Sequence, residues 1–73
     1  MKRSQFEGII AHIERAAIAD GYEIEIATAA DTYQGALLPK ITGREDVIGL
    51  RIDVFPNVYI DINAIISVRG PLL

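Results

Sequence analysis

The stretch VYIDINAIISVRG, residues 58 to 70, constrains the fold of this chain more than any other. Val58, Ile60, Ile62, Ala64, Ile66 and Val68 fall on one face of an extended backbone. Tyr59, Asp61, Asn63, Ser67 and Arg69 fall on the other, with Ile65 the single misfit. A period of two is the pattern of a strand with one buried face. Eleven or twelve extended residues reach about 35–40 Å. A compact domain of this chain length has a radius of gyration of about 11 Å and a diameter of about 30 Å. One straight strand would protrude, so the stretch must bend or break. Asn63 is the expected corner, because Asn tolerates left-handed backbone conformations. Two strands follow, at about 58–62 and 64–69.

Upstream, the hydrophobic period is helical. Phe6, Ile9, Ile10, Ile13, Ala16 and Ala17 share a stripe, the mark of an amphipathic helix. Ser4 and Glu7 have the spacing of a capping box, and Gly21 supplies a helix-ending glycine. The spacing predicts one helix at about 4–19. After Gly21 the period becomes two, with strands expected at about 22–28, 32–40 and 47–55. They are joined by the turn AADT and by ITGRED with its turn-favouring Gly43, and Pro56-Asn57 leads into the last stretch. Gly35 and Gly49 lie inside strands, where glycine marks a bend or bulge. With a hairpin centred on Thr42 they stand nearly opposite each other, so both strands would bend at one level, as a sheet curling into a small barrel requires. The fold class expected is mainly β: an N-terminal helix followed by a strongly bent five-stranded antiparallel barrel in a single domain, 1–73.

Seventy-three residues make a small body, one that buries only about 60% of the surface of its unfolded chain. There is no Cys, hence no disulfide or Cys-based zinc site to compensate. Yet 51% of residues are apolar, and part of that surface is expected to lie between subunits. The net charge of −3 and pI near 4.9 lack the basic excess of a protein gripping many phosphates. No apolar run approaches the roughly 20 residues that span a bilayer. Glu7, His12, Glu14 and Arg15 make the first helix unlike a signal peptide. A soluble, cytoplasmic protein without a membrane partner is expected.

The segment YQGALL, with Tyr33, Gly35 and Leu37 in the places of an aromatic, a glycine and an aliphatic, resembles the first motif of the Sm-like family: Sm and LSm proteins and bacterial Hfq. VYIDINAIISVRG is similar to the end of an Hfq- or LSm-type chain, where the fourth strand turns sharply through a polar loop into a short fifth strand. The likeness covers nearly the whole chain. Ala30 stands where the family usually has Gly, and ITGRED lacks the Asp and Met-Asn set that holds a nucleobase in many Sm and LSm members. Asp61, Ile62 and Asn63 stand where Hfq's last loop carries Tyr-Lys-His. Aligning Val68-Arg69-Gly70 with the second Sm motif would leave Pro71, Leu72 and Leu73 as the last strand, too little to close a barrel. Arg69 is therefore not carried over as a base-binding residue.

The resemblance implies a homo-oligomeric ring closed by pairing of strands four and five between subunits, with Val58, Tyr59, Ile60, Ile65, Ile66, Ser67 and Val68 at the contact. It implies single-stranded RNA as ligand or chaperoned client, with the pore-loop residues Lys40, Thr42, Arg44, Asp61 and Asn63 nearest to it. A ring-forming interaction module without RNA binding is the alternative, and an unrelated SH3-like adaptor barrel a third reading. For Lys40 and Arg44 the plainer reading is a solvated hairpin tip partnered by Glu45 and Asp46; for Asn63 it is a polar corner needed for the bend. Tyr33 is expected in the core, Tyr59 and Phe55 exposed, and His12 on the surface. The pairs Glu23/Glu25 and Asp53/Asp61 read as solvated charge on polar strand faces. A lone His makes no metal site, and no nucleophile–base arrangement is identifiable. Neither enzyme activity nor a cofactor is expected.

Overall fold

A computed structural model of the chain describes residues 1–17, 21–52 and 57–72. Helix α1 (Arg3–Ala16) leads into strands β1 (Glu23–Thr28), β2 (Thr32–Leu37), β3 (Val47–Arg51), β4 (Asn57–Asp61) and β5 (Ile65–Leu72), with a 3-10 turn at Ile62–Ala64. The strands form one antiparallel sheet in the order β4-β3-β2-β1-β5. The domain measures 28 × 28 × 26 Å with a radius of gyration of 11.4 Å. The expected mainly-β architecture is present as a strongly curved open sheet: among the described residues β4 and β5 are its edges and do not pair with each other.

The helix starts earlier and stops sooner than its sequence signals suggest. Lys2 is the N-cap, its carbonyl accepting from Phe6 N–H at 3.0 Å and its own N–H donating to Gln5 Oε1 at 2.8 Å. Ser4 and Glu7 thus lie inside the helix instead of forming the box. A local cap is worth only about 1 kcal/mol. The earlier start puts the Arg3 guanidinium over the Phe6 ring, 6.0 Å from its centroid, and brings Nη1 within 3.5 Å of the Val47 carbonyl on the sheet. At the other end Ala17 is already extended, and Gly21, at φ +75°, lies beyond the helix. Residues 18–20, including the expected last turn, lie outside the described residues. Phe6, Ile10 and Ile13 are buried whereas Ala16 is exposed. The stripe that packs therefore ends at Ile13, and most helical stability comes from such packing. Tyr22 Oη donates to Glu14 Oε1 at 3.3 Å, tying the helix to the start of β1. Burial first, then the adjacent Glu14 charge, raises the Tyr22 pKa.

The core gathers those helix residues with Ile24, Ile26, Ile48, Leu50, Ile60, Ile62 and Ile65, and no described polar side chain is buried among them. Curvature is concentrated in β2. Residues up to Gly35 pair with β1, while Ala36 and Leu37 pair with β3. A Cβ on Gly35 would stand 2.5 Å from the Arg51 carbonyl oxygen. Only glycine allows the two backbones to cross so closely. Gly49 is not opposite it. The observed register pairs Leu37 with Leu50 and Gly49 with Tyr59, so the hairpin is not centred on Thr42. Strand β2 also ends earlier than 40, at Leu37. Leu38 N–H still donates to Gly49 O at 2.9 Å, but Pro39 has no N–H to continue the ladder. Strand β3 ends at Arg51, and the expected positions 53–55 lie outside the described residues.

The terminal stretch does break in two, though not through a left-handed Asn63. No described residue other than glycine has positive φ. Instead, Asp61 caps a single 3-10 turn, its Oδ1 accepting from Asn63 N–H at 2.9 Å. In such a turn residues three apart eclipse, so Ile62 and Ile65 face the same way. Both are buried, at 3% and 4% exposure, while Ile66 is 65% exposed. The apparent misfit of the alternating pattern is the core residue, and the residue in phase is outside. Strand β5 then continues past 69 to Leu72, taking in Pro71 on the sheet edge with a register shift opposite β1 between Glu23 and Glu25.

Two substitutions test this packing by urea unfolding. Ile65→Ala should cost about 2–5 kcal/mol and more than Ile66→Ala, a ranking an unbroken strand would reverse. Gly35→Ala should reach the upper part of the roughly 1–3 kcal/mol range for overpacking, because the obstructing atom is backbone and cannot rotate away.

Candidate functional site

The β2–β3 connection and the β4–β5 corner come together at one end of the sheet. In the connection, Arg44 N–H donates to the Ile41 carbonyl at 3.1 Å, closing a turn over residues 41–44. Gly43 occupies its third position at φ +79°, where a type II turn needs the left-handed region. This turn carries Thr42 and Arg44, with Lys40 just before it, all exposed. The chain then returns through Glu45 and Asp46 to β3. Here the two loops lock: Ile62 N–H donates to the Asp46 carbonyl at 2.8 Å, and Val47 pairs with Asp61. Arg44, Asp46, Asp61 and Asn63 thus belong to one cluster, with Lys40 and Thr42 farther out on the turn.

Both cations of the cluster already have partners. Lys40 Nζ meets Glu45 Oε1 at 3.1 Å, and Arg44 Nε meets Asp46 Oδ1 at 3.2 Å. All four side chains are about half to three-quarters exposed (48%, 72%, 61% and 59%), so each pair is worth little on its own. The hydrogen bond from Arg44 lowers the Asp46 pKa below the usual carboxylate value. Counting Asp61, whose backbone pairs with Val47 next door, the region holds three carboxylates to two cations and carries a slight negative balance. Asn63 is exposed; its backbone N–H is spent on Asp61.

Of the residues expected at a subunit contact, Tyr59 (58%) and Ile66 (65%) are the most exposed large apolar side chains, and Ser67 is exposed beside Ile66. Val58 and Val68 are half-buried. The side chains of Ile60 and Ile65 belong to the domain's own core. Tyr33 packs against that core, and His12 is exposed. Glu23 accepts from Gln34 Nε2 at 3.1 Å, and Glu25 lies 3.5 Å from Arg69 Nη1. Phe55 and Asp53 lie outside the described residues.

One feature of the surface is not legible from local pattern. A groove of about 480 Å³ runs between α1 and the ends of β2 and β3, bordered by Arg3, Ile10, Leu37, Leu38 and Val47. Its polar rim is only partly engaged within the chain. Arg3 Nε lies 3.5 Å from Glu7 Oε2 without hydrogen-bond geometry, and Lys40 is held by Glu45. The segments that form it are far apart in the chain, and only the docking of the helix creates it.

Compared with protein-family models, with curated proteins and with solved structures, the chain finds no match in any of the three. No helix of the described residues is long and apolar enough to cross a membrane.

The Arg44–Asp46 contact has a spectroscopic signature. In a carboxylate NMR titration Asp46 should protonate below the ordinary aspartate range, and Arg44→Ala should bring it back up. Because the folded-state pKa is the depressed one, the contact is intact above the unfolded aspartate pKa and is lost as pH falls through the folded value.

Proposed function

We propose that this chain assembles with copies of itself into a closed Sm-like ring and holds single-stranded RNA at the end where the β2–β3 and β4–β5 loops meet. The observation that carries the assembly is the pair of free strand edges. Strands β4 and β5 border the sheet, each with no strand on its outer side among the described residues, and each exposes a large apolar side chain, Tyr59 on β4 and Ile66 on β5. Such edges invite pairing with another chain. Two different surfaces meeting head to tail generate a ring when the rotation closes. The sharp polar corner between the fourth and fifth strands supports the same reading.

For RNA the supporting arrangement is repetition. One Arg44 and one Asn63 per subunit, brought round a ring, would offer a circle of cations to phosphates and of amides to bases or sugars. A second reading has a specific observation in its favour: Lys40 and Arg44 are paired with Glu45 and Asp46. On that reading the chain is an assembly module whose loops bind no RNA.

Light scattering coupled to size exclusion tests the ring. The expected mass is several times the 8.0 kDa of the chain, and Ile66→Asp should return it to that value with an unchanged circular dichroism spectrum. A monomeric wild type would overturn both readings. Filter binding of U-rich and A-rich RNA at low salt then separates them: retention that Arg44→Glu abolishes without loss of assembly supports the RNA reading. An intact ring that retains neither RNA leaves the assembly module.

A further inference from the structure

We propose that Glu45 and Asp46 act as built-in competitors for the anion site of this loop, so that the affinity for RNA is set by two carboxylates of the same chain. The inference rests on the RNA reading above and adds its regulation. The cations that would meet a phosphate are Lys40 and Arg44, and in the free protein each is hydrogen-bonded to a carboxylate within the same loop, at 3.1 and 3.2 Å. An arriving phosphate must displace those oxygens or share their donors.

The competitor at Asp46 is held in place from outside the loop. Its carbonyl accepts from Ile62 N–H at 2.8 Å, and its neighbour Val47 is registered against Asp61. The backbone of residue 46 is thereby anchored to the β4–β5 corner, which keeps its carboxylate within reach of the turn carrying Arg44. Arg44 sits on that turn, fixed by its own N–H to Ile41. Both ends of the Arg44–Asp46 pair are therefore positioned by backbone hydrogen bonds, which lowers the entropic cost of keeping the contact. The Lys40–Glu45 pair bridges the two arms of the connection, so it also braces the turn.

The pairs are exposed, so the competition damps binding without blocking it. Removing both carboxylates should tighten binding about threefold or more per engaged subunit at low salt, and the gain should fade as salt screens the loop. The control must carry the same change in net charge elsewhere. Glu14 on the helix and Glu23 on β1 serve, since they accept hydrogen bonds from Tyr22 and Gln34, neither of which belongs to the loop.

The test measures binding of fluorescein-labelled U-rich and A-rich single-stranded RNA to the assembled full chain at low and moderate salt. Wild type, E45Q/D46N, the charge-matched E14Q/E23Q and R44Q/E45Q/D46N are compared, with mass and circular dichroism confirming assembly and fold, and single E45Q as the milder variant if the double fails to fold. Tighter binding by E45Q/D46N but not by E14Q/E23Q, lost again in R44Q/E45Q/D46N, is the expected result. Equal tightening by both double variants would overturn the proposal in favour of net charge alone. A wild type that binds and an E45Q/D46N that binds no better overturns the proposal while the RNA reading stands. Absence of binding by wild type and every variant overturns both.

Discussion

The shape of this domain depends on the 3-10 corner between β4 and β5. Ile62 and Ile65, three residues apart, both enter the core, and this is possible only if the chain abandons the extended repeat for one tight turn. The corner is secured on both sides. Asp61 accepts the Asn63 N–H, and the Ile62 N–H reaches the Asp46 carbonyl. With the backbone groups satisfied, burial of two isoleucines drives the change of direction, and each is worth on the order of 2 kcal/mol or more in a packed core. The same turn carries β5 to the far edge of the sheet, beside β1, and leaves β4 on the opposite edge. The two free edges and the exposed Tyr59 and Ile66 are thus consequences of one local geometry.

The loop cluster is governed by a second constraint, the closeness of charges in sequence. Lys40 pairs with Glu45 and Arg44 with Asp46 on the β2–β3 connection, which touches the corner through the Asp46 carbonyl. Because Glu45 and Asp46 lie within a few residues of Lys40 and Arg44, pairing costs little chain entropy. Exposure keeps each pair weak, so the cluster is adjustable: a stronger anion can take over the donors, and screening changes the balance. The groove beside α1 differs. It is mostly apolar at its border, with Lys40 paired to Glu45 and Arg3 near Glu7 but with its Nε lacking a hydrogen bond.

Much of this was legible in the sequence, with consistent exceptions. The order of one helix and five antiparallel strands, the turn at Gly43, the break in the last stretch and the charge partners of Lys40 and Arg44 all follow from period, turn chemistry and spacing. The helix starts before the Ser4–Glu7 spacing predicts because that cap competes with a tertiary contact of Arg3 to Phe6 and Val47. A hairpin symmetric about Thr42 sets Gly35 opposite Gly49, whereas the register follows from which residues cross the bend in β2. Ile65 was the misfit because strict alternation has no place for a turn that rotates the following strand.

By itself the sequence determined the element types and their order, since hydrophobic period and punctuation by Gly, Pro and Asp are local properties of the backbone. It also determined the acidic balance and the pairing of neighbouring charges. Which isoleucine faces the core, which strands become edges and which loops meet were decided only by the tertiary structure. Those outcomes depend on contacts between residues distant in the chain: Gly35 against Arg51, Ile62 against Asp46, and the helix against the sheet. No local pattern carries that information, because each side of such a contact is equally consistent with several partners until the whole core closes.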